Sequence, residues 1–290
     1  IKTTLTGGLK RKENDFDYVA RNNLSQLLFK DTPLQNPASG TIASISTIQL
    51  EDVKQFIKKN LIVNNLIIVA GGDITFDELE KSVHAVVKQF PTGKENLLAA
   101  ISANENASFK EEIKETQQAY IYFGSPFNMD AKDEKTYIAK VASFILGGSG
   151  FGSRLMEEIR VKRGLAYSAY GSVSINKSHS YFSGYLQTKL ESAKEAQELV
   201  STLIQEFVKN GVTQKELDSA KKFLTGSEPL RTETLSQRLN RAFTYYYRGL
   251  EPNFAQLELE KIEKLTLDEL NAFIQSHAEI TNLSFSIVRK

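Results

Sequence analysis

The sequence predicts an α+β fold, an α/β sandwich in which one unit is followed by a related one, and three observations carry that prediction. Apolar side chains recur at both helical and strand-like spacing along the 290 residues, a helix, turn and strand unit occurs twice, and 41% hydrophobic with 24% charged content suits one large core or two moderate ones.

Taken in order, residues 14–30 and 50–59 repeat apolar side chains at helical spacing. "NNLIIVAGG", 64–72, has the length and composition of a short buried strand. Thr75 and Glu78 form a capping box, each side chain satisfying a free N–H of the first turn, and open a helix to about Phe90. "PTGKENLLAAISANENAS", 91–108, has no period and is rich in Asn, Ser and Ala, which marks a linker. Beyond it, "FKEEIKETQ" and "AYIYFGSP" read as strands, 133–146 and 153–162 as helices, and 166–175 and 179–189 as two strands that turn around Asn176 to Ser178. From 191 to about 275 the spacing is helical, broken at Gly211, at Ser227 to Pro229, at Gly249 to Pro252 and at Leu265. The pairs Thr213/Glu216 and Thr266/Glu269 cap the helices after the first and last breaks, and "NLSFSIVRK" ends the chain as a strand.

The repeat is specific. "IQLEDVKQFIKKNLIVNNLIIVA" from Ile48 aligns without a gap on "LTLDELNAFIQSHAEITNLSFSI" from Leu265, placing Leu50 on Leu267, Phe56-Ile57 on Phe273-Ile274 and Asn65-Leu66 on Asn282-Leu283. The offset is 265 − 48 = 217, so Ile1 corresponds to Asp218, and Phe109 to Val212 has no earlier counterpart. The first copy is therefore expected to lack a front portion on the order of 100 residues.

Composition excludes several functions. Thirty-six basic against thirty-five acidic residues leave no net field to draw nucleic acid or an anionic membrane, and Lys10, Arg11 and Lys12 read as solvated surface. The absence of Cys rules out a disulfide framework, a thiol nucleophile and a Cys-type zinc knuckle. No apolar run reaches the length of a membrane span, and the Ile1 start without a signal-like segment points to processing or a trimmed beginning. The compartment, periplasm or cytoplasm, stays open.

Chemistry is sparse. His84, His179 and His277 form no paired zinc motif, and Glu80 with His84, one helical turn apart, lacks a third ligand. Ser153 and Ser168 lack the partners of a nucleophile, and "GGSGFGS" matches neither a phosphate loop nor a nucleophile elbow. Gly147, Gly148 and Gly150 read as a tight turn between two helices. Arg160 in a last helical turn and Tyr167 at a strand start, with Gly164 as the left-handed residue between them, can face one cleft as fixed hydrogen-bond donors. Spacing alone favours the plainer reading, in which Arg160 serves the helix C-terminus and Tyr167 the core.

"LGGSGFGSRLMEEIRVKRGLAYSAYGSVS", with "GTIASISTIQLEDVKQFI" and "NNLIIVAGGDITFDELEKSV", resembles the pitrilysin and insulinase family of zinc metallopeptidases, in its short bacterial and mitochondrial processing peptidase branch. The resemblance implies two related domains, each an antiparallel-rich sheet packed against helices. Residues 1–92 would then be the C-terminal part of a first domain, 93–107 a linker and 108–290 a complete second domain. It implies that the H-x-x-E-H zinc motif belongs to the missing front portion or to a partner subunit, with no cofactor in this chain. Arg160 and Tyr167 match the family's substrate-binding and transition-state-stabilising pair, and Met156 an apolar residue lining the cavity. The expected substrate is a peptide or unfolded polypeptide, and the expected partner a zinc-bearing chain in a homo- or heterodimer. The alternative is a catalytically inactive structural or peptide-binding subunit, such as the family's relatives in respiratory complexes.

Overall fold

In the computed structural model, which describes all 290 residues, the first 92 are helices and connections and the sheet lies wholly in the remainder. Helices α1 (Lys2–Lys12), α2 (Phe16–Leu28), α3 (Ile42–Thr47), α4 (Leu50–Asn60) and α5 (Phe76–Val87) come first. Then follow β1 (Phe109–Ile113), β2 (Gln118–Pro126), α6 (Thr136–Ser143), β3 (Ala166–Ile175) and β4 (Ser180–Lys189). The helical run is α7 (Ala193–Asn210), α8 (Gln214–Gly226), α9 (Leu235–Arg248), α10 (Phe254–Lys264) and α11 (Leu267–Ser276), and β5 (Ser284–Arg289) closes the chain. The boxes at Thr75/Glu78, Thr213/Glu216 and Thr266/Glu269 form as the sequence predicts, and Thr41/Ser44, Gln49/Asp52 and Thr234/Gln237 form further ones that open α3, α4 and α9. Two helices escape the sequence reading for local reasons. "KTTLTGGLKRK" of α1 contains two Gly and three Thr, poor helix formers, and α3 is too short to show a period.

The strands form one sheet in the order β1-β5-β2-β4-β3, parallel between β1 and β5 and antiparallel elsewhere. Ile121 and Phe123 of β2, Phe182 and Leu186 of β4 and Phe285 and Ile287 of β5 turn one face toward α6, α7, α8 and α11 and build the main core with them. That core draws on residues 119 to 287 alone. On the opposite face lies α2, where Leu24, Leu28 and Phe29 gather with Ala103 in a small second cluster. Polar ties pin α2 there: Asn23 donates to Glu112 at 2.8 Å, and Lys110 donates to Asn23 at 2.7 Å.

Residues 64–72 depart from the sequence reading. They pair with no strand, and Ile68 is exposed, whereas β5, at the repeat offset, is buried between β1 and β2. A strand needs neighbours for its backbone N–H and C=O groups, and only the later copy has them. The same contrast separates α4, which buries no side chain and leaves Leu50 and Phe56 open, from α11, which buries Leu270, Phe273 and Ile274.

Candidate functional site

The site grows from two departures from α-helical winding. After α6 the backbone widens into a π-turn over Phe144–Gly148, where Ser149 N–H donates to the Phe144 carbonyl, and a second π-turn covers Met156–Val161. Between them runs the glycine turn. Gly147 lets the helix end approach β3, because a Cβ there would stand 2.5 Å from the Gly171 nitrogen, and Gly150 takes φ +69°. The second π-turn stops at Gly164, which takes the left-handed φ of +61° that the sequence predicts. Leu165 N–H donates to Ile159 and Gly164 N–H to Arg160, a closure one residue longer than the usual helix end, as a wide turn requires.

These turns bring Arg160 and Tyr167 together. The Arg160 guanidinium carbon sits 4.5 Å from the Tyr167 ring centroid and 4.6 Å from that of Phe151, so both rings are within cation–π reach of it. Tyr167 is 81% exposed, which excludes a core role for it. Nearby, Glu158 is occupied by Lys162 and Arg163 at 2.6 Å each, and these two cations hold its carboxyl below the usual range. Arg160 is thus held by rings rather than by a carboxylate.

Met156 is 1% exposed and stands outside the main core cluster that takes in its neighbours Leu155 and Ile159. Phe151 is the residue that sequence reasoning missed. Its signal was a lone aromatic within "GGSGFGS", where an exposed ring in a glycine turn has no packing purpose.

Behind the site, Arg154 grips Glu216 with Nε to Oε1 at 2.5 Å and a terminal nitrogen to Oε2 at 2.9 Å. No three His, Cys, Asp or Glu side chains converge on a point that could hold a metal ion, and Glu80 with His84 gains no third ligand on α5. The residues present therefore do not fit a zinc ion. No helix is long and apolar enough to cross a membrane.

The structure is thus a five-stranded mixed sheet with helices on its core face, with Arg160 beside Tyr167 and Phe151 at the glycine turn. Residues 47–224 match the family model described as peptidase M16 inactive domain, and the chain belongs to that family. It is 46% identical over 288 residues to the non-peptidase homolog YmxG of Helicobacter pylori, covering 99% of this chain and 66% of that protein. It is 24% identical to an uncharacterized zinc protease of Streptomyces coelicolor, covering 79% of this chain and 51% of that one. The chain thus spans about half to two thirds of the length of these relatives. Among solved structures it resembles the crystal structure of a peptidase M16 inactive domain from Pseudomonas fluorescens, with TM-score 0.89 and 25% identity over 99% of this chain and 69% of the other.

Proposed function

We propose that this chain supplies the substrate-binding wall of a peptidase assembly that cleaves peptides or unfolded polypeptides, the zinc belonging to another segment or another chain. The observation that carries this reading is the stack of Phe151, Arg160 and Tyr167. A guanidinium held beside rings and not by a carboxylate keeps its N–H donors for a ligand. Those donors suit a peptide carbonyl, and the Tyr167 hydroxyl offers a neutral donor beside them. Both strengthen their hold as negative charge develops on that oxygen, which is how fixed donors lower a barrier.

The domain reading belongs to the same proposal: 1–92 as the end of a first domain, 93–107 as a link and 108–290 as a second. It is supported by α4 and α11 beginning 267 − 50 = 217 residues apart, the offset of the sequence repeat. Further support comes from Gly71 lying against Leu235 and Leu239 of α9, as β5 lies against α2.

The test is peptide cleavage with and without a zinc-bearing H-x-x-E-H partner. The chain alone is expected to be inactive, and Arg160→Ala and Tyr167→Phe each to lower the assembled rate roughly 10²-fold. Strong cleavage by the chain alone, or full rate in both variants, would overturn it. A catalytically silent structural or peptide-holding subunit is the second reading, favoured by the words "non-peptidase homolog" carried by the 46% identical relative. Unchanged assembled rates in both variants would select it.

A further inference from the structure

The sheet face that carries Tyr167 continues into a row of three tyrosines that the site described above leaves unused. Tyr170 in β3 lies directly across from Tyr185 in β4, and Tyr185 directly across from Tyr122 in β2. Residues paired in this way project from one face. Their rings stand 5.5 Å apart at both steps, within the roughly 4.5–7 Å range where aromatic pairs attract.

A bulge decides which face that is. Ala166 and Ala169 are both buried in the core although three positions apart, because the register shifts between them. The residue after each, Tyr167 and Tyr170, therefore projects from the opposite face. The glycine turn joins the two: Phe151 covers Arg160, and a Cβ on Gly150 would meet the Tyr170 ring at 3.6 Å. Helix α2 forms the other wall, with Leu24 and Leu28 beside the row and Arg21 at the rim, enclosing about 300 Å³. Asp17 fixes the far end, accepting from the Tyr122 hydroxyl at 3.2 Å and from Gln187 at 2.7 Å.

We infer that this cavity is a subsite for one aromatic side chain of the bound polypeptide, a short run of extended chain away from the carbonyl held by Arg160 and Tyr167. The inference rests on the substrate-binding reading above. Along β3 the two tyrosines are on the order of 10 Å apart at ~3.3 Å per residue, so the recognised side chain sits about three positions from the held carbonyl. The volume is at the bottom of the range for ligand sites, roughly 300–1,000 Å³, which suits one ring rather than a folded partner. Walls of rings and leucines select for an aromatic face, not for charge.

Fluorescence anisotropy with end-labelled ten-residue Gly/Ser/Ala peptides carrying a single Phe, moved one position at a time, tests this on the 290-residue chain. One Phe position is expected to tighten Kd at least tenfold over the all-Ala peptide. That ratio should fall to near one in Tyr185→Ala and in Tyr170→Ala, and persist in Tyr185→Phe, which keeps the ring. A photoreactive benzoylphenylalanine at the favoured position should crosslink within 21–29, 118–126 or 166–185, a readout that needs no variant. Equal Kd at every Phe position, in a chain whose binding is still weakened by Arg160→Ala, overturns the subsite and leaves the substrate-binding reading standing. Crosslinks outside those three segments overturn it as well, and failure of every peptide to bind removes both.

Discussion

Glu216 serves two partners with one carboxylate. It closes the capping box of α8 with Thr213 and takes the Arg154 guanidinium, six residues before Arg160. Burial alone would raise its pKa, but the hydrogen bonds from Arg154 and Thr213 outweigh that and hold it at about 2 against an ordinary 4.5. A carboxyl with a depressed folded-state pKa stabilises the fold above its unfolded value, and the contribution disappears as pH falls through the folded one. The wild-type chain should lose on the order of 1–3 kcal/mol between about pH 5 and pH 2 through this group, and Glu216→Gln should remove that part of the pH dependence in urea denaturation. Arg160→Lys keeps the charge but gives up the planar fork beside the two rings. It should weaken peptide binding at least about tenfold by anisotropy, whereas a role limited to charge predicts no change. Thr213 and Glu216 were legible because a capping box is local. Arg154 was not, being 62 residues from its partner.

Turns and helix ends carry the functional placement, and two glycines separate its causes. Gly147→Ala would force a methyl to 2.5 Å from the β3 backbone, so it should cost about 2–4 kcal/mol and loosen the Phe151 turn. At Gly164 an added methyl would have open space, with nothing within 4 Å, and the substitution meets only the positive φ, a cost of about 1 kcal/mol. Thermal or urea denaturation of both variants checks the ranking; equal losses would mean that helix-to-strand contact at Gly147 is not limiting. The sequence marked both glycines as turn residues. It did not distinguish close approach from backbone sign, since the first depends on β3, 24 residues further on (171 − 147). Nor did it show the π-turns at Phe144–Gly148 and Met156–Val161.

Across the whole molecule, the two copies of one pattern meet different surroundings. Backbone amides of 66–70 should exchange with solvent far faster than those of β5 in hydrogen-exchange mass spectrometry, by orders of magnitude, because only β5 has strands on both sides. Comparable protection would show that 66–70 finds a partner and would weaken the two-domain proposal. The sequence by itself determined the helix and strand order from residue 109 onward, the capping boxes, the left-handed Gly164, the repeat offset and the nomination of Arg160 and Tyr167. All of these rest on spacing within a few residues or on self-comparison. Only the tertiary structure decided that 64–72 stays unpaired, that Met156 is buried, that Phe151 stands beside Arg160, and that Tyr122, Tyr170 and Tyr185 form one row. Each of those depends on which strands and helices stand beside one another, and strand pairing and burial are properties of neighbours distant along the chain.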